Sequence, residues 1–98
     1  MDRDLALARL RSLEPELRHR GVLGCSLFGS TARGEAGADS DVDVLIDLPT
    51  PHGLSALDLA ELYALIEERM GMRTEVVVRR NLKPFLREAI LADAVPVF

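Results

Sequence analysis

The alternation of aspartate and valine from Asp41 to Val44 is the feature that most constrains what this chain can fold into. Within the segment 41–48, the residues after this alternation are mainly apolar. The pattern is typical of a β-strand with one covered face. Because successive strand side chains point to opposite faces, Asp41 and Asp43 are predicted to share one face and the valines the other. Two carboxylates one strand period apart offer the hard oxygen ligands that Mg²⁺ prefers.

A glycine and a serine, Gly29-Ser30, precede this strand and are separated from it by the ten residues 31–40. They directly follow the short apolar segment 22–28, which is predicted to be the first strand. Since Gly29 has no side chain, backbone amides and the Ser30 hydroxyl can approach a phosphate closely. A short helix beginning near Thr31 would add further attraction for anions. Ser30 acting only as a helix cap is an equally open interpretation.

The aspartates and the glycine turn together favour a metal–nucleotide site. Adjacent carboxylates repel each other in a partly dry site, and a divalent cation removes this repulsion while it binds triphosphate oxygens. A half-exposed strand without a ligand is the alternative for the aspartates, and the glycine turn weakens it. The chain has neither the Walker lysine motif nor the glycine fingerprint of dinucleotide folds, which argues against P-loop ATPase or dehydrogenase chemistry.

Helical periodicity, caps and β-branched runs predict the other elements. These are a helix 4–17 interrupted near Glu14 by Pro15, a helix from the Ser55 capping box to Met70, a strand 74–79, a helix 82–91 and an apolar tail ending at Phe98. The predicted apolar stripes are Leu5, Ala8, Leu10, Leu13 and Leu17 in the first helix, and Leu54, Leu57, Leu62, Leu65 and Ile66 in the helix that ends at Met70. This order indicates an α/β domain in which a small mixed β-sheet is flanked by helices.

Length and composition restrict the domain count and the partners. The 98 residues are 48% hydrophobic, which is enough for one core, so a single domain 1–98 is expected. The net charge of −4 gives no general attraction to nucleic acid or to a membrane surface. A lone cysteine, Cys25, and the lack of a signal peptide or a membrane-length apolar run lead us to expect a cytoplasmic protein. Basic residues gather in 69–87, where they could meet a phosphate or an acidic protein surface, or simply form a solvated face.

The segments 27–36 and 40–46 together resemble the minimal nucleotidyltransferases of the polymerase beta-like superfamily, whose signature is Gly-Ser, a spacer and Asp-x-Asp. The resemblance implies a nucleotidyltransferase-type fold with ATP as substrate and two Mg²⁺ ions held by Asp41, Asp43 and a third carboxylate. Family members place an aspartate on the next strand, and this chain has Glu75, which is longer by one methylene. Asp41, Asp43 and Glu75 are thus the expected catalytic and metal-binding residues.

The resemblance also implies the roles of the nucleotide-binding residues. Gly29 and Ser30 would hold the outer phosphates, and Arg33 would neutralise charge on the triphosphate or pyrophosphate. A surface position in which Arg33 pairs with Glu35 is an equally open interpretation.

The stand-alone members of this family imply a biological role, that of an antitoxin that transfers AMP to a tyrosine hydroxyl of a partner HEPN-type ribonuclease toxin. Two alternatives remain. A non-catalytic module could mask the toxin by surface contact, or the domain could modify a small molecule such as an aminoglycoside. The second is weaker because no acceptor-binding domain is visible in the sequence.

Overall fold

The protein is a mixed β-sheet flanked by helices. Its structure is a computed structural model that describes residues 1–37 and 39–98. The elements in chain order are α1 (Arg3–Ser12), α2 (Glu14–His19), β1 (Gly24–Phe28), α3 (Gly29–Arg33), β2 (Val42–Asp47), α4 (Ala56–Met70), β3 (Thr74–Val78), a 3₁₀ turn (Arg79–Asn81), α5 (Pro84–Asp93) and β4 (Val95–Pro96). The predicted fold class is confirmed. No helix in the described ranges is both long and apolar enough to span a membrane.

The sheet has the strand order β3-β2-β1-β4. Strand β1 is antiparallel to β2, and Phe28 at its end lies opposite Asp43. Strands β2 and β3 are parallel, as the intervening helix α4 allows, and their register places Asp43 opposite Glu75. The short β4, which the sequence pattern does not predict as a strand, pairs with the other edge of β1. The start of β2 therefore meets the end of β1 and the start of β3.

Helix boundaries follow from local chemistry. The side chain of Asp2 caps α1 by accepting the amide hydrogen of Leu5 at 3.0 Å. Pro15 lies in the first turn of α2, where its missing N–H is not needed, and this confirms the predicted break. Ser55 and Asp58 form the predicted capping box of α4.

The core lies between the sheet and helices α1, α2 and α4. Strand alternation is as predicted, because Val42 and Val44 are fully buried whereas Asp43 is partly exposed. The largest fully buried side chains include Leu10, Leu13, Leu17, Leu27, Leu45, Ile46, Leu62, Ile66 and Met70.

Three members of the predicted apolar stripes are exposed. In α1 the core face is Ala6, Leu7 and Leu10, while Leu5 and Ala8 are exposed. In α4 Leu57 is 68% exposed. In α1 the predicted face was wrong at Leu5 and Ala8, because their neighbours Ala6 and Leu7 are the side chains that pack on the core. In α4 the stripe was predicted too long, because Leu57 lies in the first turn, outside the buried set.

Candidate active site

The turn from β1 into α3 brings Gly29 against the side chain of Asp43. Gly29 has φ 75°, in the left-handed region that favours glycine. A Cβ atom built on Gly29 would overlap Oδ2 of Asp43. The turn and the carboxylate therefore form one tightly fitted unit, in which the space that a side chain would fill is taken by an oxygen atom of Asp43.

The three predicted carboxylates lie at the same end of the sheet. Asp41 immediately precedes β2, Asp43 lies within it, and Glu75 is the register partner of Asp43 on β3. The pKa of Asp43 is raised to about 6, mainly by burial and then by the negative charge and hydrogen bonding of Glu75 and the charge of Asp41. The charge of Arg33 opposes this shift. Asp43 is thus a partly buried carboxylate with two carboxylate neighbours whose negative charge Arg33 only partly offsets.

Ser30 is the second residue of α3 and is partly buried. The N-cap position of α3 is Phe28, and no side chain among the described residues caps this helix. Ser30 is therefore not a helix cap, and its hydroxyl makes no hydrogen bond with a described residue. The first amides of α3 lack a side-chain acceptor, which leaves them available to an anion.

Arg33 lies at the end of α3 and forms two ion pairs. Its Nε is 3.1 Å from Oε2 of Glu35, the pairing considered as the alternative in the sequence, and its Nη1 is 2.5 Å from Oδ2 of Asp93. Hydrogen bonds to Glu35 and then to Asp93 raise the pKa of Arg33. The pairing with Asp93 could not be found in the sequence, since the two residues are 60 positions apart.

Two open cavities reach residues of the site. One of about 530 Å³ is lined by the N-terminal residues 1–4 together with Arg33 and Gly34. The other, of about 370 Å³, is lined by Asp41 with Ser40 and Arg73, among others. Arg73 is a basic neighbour that the motif does not predict, and its Nε is 4.0 Å from Oδ1 of Asp41. Both volumes fall within the range of small-ligand sites.

The donor set fits a magnesium ion that also binds a nucleotide. Within residues 1–37 and 39–98, no three His, Cys, Asp or Glu side chains form a group that could hold a metal ion. Mg²⁺ does not require three protein ligands, because it typically takes one or two carboxylates and completes its shell with water and phosphate oxygens. Asp43, with its raised pKa and its carboxylate neighbours, is suited to such an open site. A cation there would remove the repulsion that raises this pKa.

Comparisons with known proteins match almost the whole chain. Residues 10–97 match the family model described as a nucleotidyltransferase domain. The chain is 38% identical to the protein adenylyltransferase MntA of Thermococcus cleftensis over 90% of its own length and 88% of that relative. It superposes with TM-score 0.82 and 38% identity on a solved structure described as a minimal nucleotidyltransferase, covering 98% of this chain and 96% of that one.

A more distant structure shares the fold. A toxin–antitoxin crystallised with AMP-PNP superposes with TM-score 0.73 at 17% identity, over 92% of this chain and 72% of that one.

Proposed function

This chain belongs to the nucleotidyltransferase domain family and is a nucleotidyltransferase, and we propose that it moves AMP from ATP to a tyrosine hydroxyl of a HEPN-type toxin, acting as its antitoxin. The name of the relative, protein adenylyltransferase, supports a protein acceptor. The more distant structure is a toxin–antitoxin that is similar in fold, and this supports a toxin as that acceptor. The observation that carries the proposal is the close fit of Asp43 between Gly29 and Glu75.

The reaction is a displacement at the α-phosphorus of ATP. The acceptor hydroxyl oxygen forms a bond to this phosphorus, the bond to the oxygen that bridges to the β-phosphorus breaks, and pyrophosphate leaves. Glu75 is exposed at the start of β3, where it can orient the hydroxyl and accept its proton. The products are a phosphodiester between AMP and the acceptor, and pyrophosphate.

The turn at the end of β1 holds the outer phosphates in this proposal. The uncapped amides of α3 and the Ser30 hydroxyl supply hydrogen-bond donors, and Gly29 lets the backbone approach. Arg33 exchanges one of its carboxylate partners for a phosphate oxygen, and its pair with Glu35 is the more exposed of the two and therefore the weaker.

Asp41, Asp43 and Glu75 would hold the magnesium, as two ions. When bound, Mg²⁺ neutralises triphosphate charge and stabilises the attacking and leaving oxygens. Arg73 lies beside Asp41 and would lose this contact when a cation takes its place.

A transfer assay with ATP labelled at the α-phosphate tests the proposal directly. We expect Mg²⁺-dependent label on a toxin tyrosine, and a loss of roughly 100-fold or more in Asp41→Ala and Asp43→Ala. Glu68→Ala is the control, an exposed carboxylate of α4 that lines neither cavity and should keep full transfer. Glu75→Gln should lose activity and Glu75→Asp should retain part of it, since only the second keeps a proton acceptor.

The alternative, a non-catalytic module that masks the toxin by surface contact, predicts the opposite result. Neutralisation would then need one molecule of this chain for each toxin molecule and would not need ATP. If Asp41→Ala and Asp43→Ala neutralise the toxin as well as the wild type does, and no AMP label appears on it, the catalytic proposal is wrong.

A further inference from the structure

Asp93 ends α5 and lies close to the turn at which α3 begins. Strand β4 starts two residues after Asp93 and is antiparallel to β1, with Val95 opposite Leu27. Moving two residues along each strand from this pair, in opposite directions as antiparallel strands require, leads to Asp93 on one side and Gly29 on the other. The contacts of α5 with α3 and β1 agree with this placement. The topology thus brings a carboxylate from the end of α5 to the candidate active site.

Arg33 has two carboxylate partners, and the contact with Asp93 is the closer one. Nη1 of Arg33 donates to Oδ2 of Asp93 at 2.5 Å, and its Nε donates to Oε2 of Glu35 at 3.1 Å. The side chain of Asp93 is 30% exposed, and that of Glu35 is 67% exposed. A shorter charge-assisted hydrogen bond is stronger, and a less exposed one is less screened by water and salt. Of the two contacts, the one with Asp93 is therefore better suited to persist when Arg33 binds an anion.

Arg33 lies near the residues that would hold the nucleotide. It is four residues after Gly29 in α3, about 6 Å along the helix axis at 1.5 Å per residue. Gly29 in turn lies against Oδ2 of Asp43. A guanidinium in this position can face the outer phosphates of a nucleotide whose metal is bound by the carboxylates.

We propose that Asp93 is a positioning residue that holds the guanidinium of Arg33 toward the triphosphate, while Glu35 releases the same guanidinium to a phosphate oxygen. The inference rests on the proposed function, which gives Arg33 its place at the outer phosphates. Asp93 itself contacts neither nucleotide nor metal in this arrangement. A further carboxylate beside a site that is already negative would repel a triphosphate, so Asp93 favours nucleotide binding only through Arg33.

Preorganisation is the physical benefit of this contact. A free arginine side chain samples many rotamers, and fixing it on a phosphate costs conformational entropy. The ion pair with Asp93 restricts Arg33 in the folded protein before the nucleotide arrives, so that less entropy is lost on binding. The pairing of β4 with β1 fixes the backbone next to Asp93. Helix α5 and strand β4 thereby contribute to the nucleotide site without touching the nucleotide.

Nucleotide affinity and transfer kinetics of Asp93 variants test this role. Calorimetry with a non-hydrolysable ATP analogue and Mg²⁺ measures the Kd, and the transfer assay with the toxin measures kcat and the KM for ATP. Asp93→Asn should raise the Kd and the KM roughly tenfold and change kcat by less than about threefold, because the lost contact acts on the bound nucleotide before and during the reaction. Asp93→Glu keeps the carboxylate and should recover most of the affinity.

Three further variants separate positioning from a structural role. Glu35→Gln removes the other partner of Arg33 and should not raise the Kd, because this contact is the one exchanged for phosphate. Glu14→Gln is the matched control, since it breaks a similarly exposed ion pair of α2 with Arg18 and should bind the analogue like the wild type. In an Arg33→Ala background, Asp93→Asn should not weaken binding further. Urea unfolding shows whether each variant is folded under the assay conditions.

The outcomes distinguish this inference from the proposed function. An unchanged Kd in Asp93→Asn overturns the inference, and a lower free energy of unfolding alongside it would assign the ion pair a structural role only. An equal rise in Kd with and without the Arg33 side chain also overturns it, because Asp93 then does not act through Arg33. If the Kd rises as expected but no toxin tyrosine receives AMP from the wild type, the positioning role stands and the proposed function is wrong.

Discussion

At the scale of single residues, Gly29 and Gly34 offer a matched pair. Both have positive φ, at 75° and 77°, but a Cβ on Gly29 would overlap Asp43 while a Cβ on Gly34 meets nothing within 4 Å. Left-handed backbone costs a non-glycine residue about 1–2 kcal/mol, so both alanine substitutions should lower the free energy of unfolding. Gly29→Ala should lower it further and should also abolish nucleotide binding. Urea unfolding and analogue binding measure both effects, and equal behaviour of the two variants would contradict the fitted contact.

The raised pKa of Asp43 predicts a pH dependence of stability in metal-free buffer. The native state holds this proton more tightly than the unfolded chain, whose aspartates titrate near 3.8. The free energy of unfolding from this group is therefore highest below pH 3.8 and falls as pH rises to about 6. Asp43→Asn removes this component. Chemical unfolding across pH 3.5 to 7 in EDTA measures the free energy of unfolding of both proteins. The difference in favour of the wild type should shrink with rising pH. A difference that grows would show that the carboxylate is stabilised in its charged form.

Much of the residue-scale site was accessible from the sequence. The alternation at Asp41 and Asp43 fixed which face they share, and the glycine turn pointed to their neighbourhood. Glu75 entered through the family pattern, and the parallel register of β2 and β3 explains why it lies opposite Asp43. The partner of Arg33 on α5 was not predictable, because a contact between side chains 60 positions apart depends on how the elements pack and leaves no local pattern.

At the scale of elements, the start of α4 depends on a reciprocal pair of hydrogen bonds. The Ser55 hydroxyl accepts the amide hydrogen of Asp58 at 3.0 Å, and the Asp58 carboxylate accepts that of Ser55 at 3.0 Å. Ser55→Ala should lower the free energy of unfolding by about 1 kcal/mol. Ser12→Ala is the control, since the hydroxyl of Ser12 only donates to a carbonyl near the end of α1. Equal unfolding midpoints for the two variants would show that this cap is dispensable.

Elements with strong local signals were predicted from the sequence, and the exception is instructive. Pro15, the Ser55 cap and the β-branched run at 74–78 each constrain the backbone locally, so the corresponding elements formed close to where they were expected. Strand β4 has two residues, too few to show a period, and one of them is proline. It exists because β1 has a free edge that can accept it, which is a property of the assembled sheet.

At the scale of the whole molecule, one small sheet serves two surfaces. The start of β2 carries the carboxylates next to the glycine turn, while Phe85 and Leu86 of α5 are exposed elsewhere on the molecule. The overall negative charge hides this division, because it averages the basic segment 76–87 with an acidic remainder. Sequence composition could show the basic cluster but not the exposure of α5, since its apolar residues have the same spacing as those of a buried helix.

Calorimetry with a non-hydrolysable ATP analogue tests the central claim, that the carboxylates beside the Gly29 turn bind a nucleotide through divalent metal. The account predicts binding of the analogue to the wild-type chain in the presence of Mg²⁺, loss of this binding in EDTA, and loss in Asp43→Ala but not in Glu68→Ala, which changes an exposed carboxylate of α4. Equal affinity with and without Mg²⁺, or an undiminished affinity in Asp43→Ala, would contradict it.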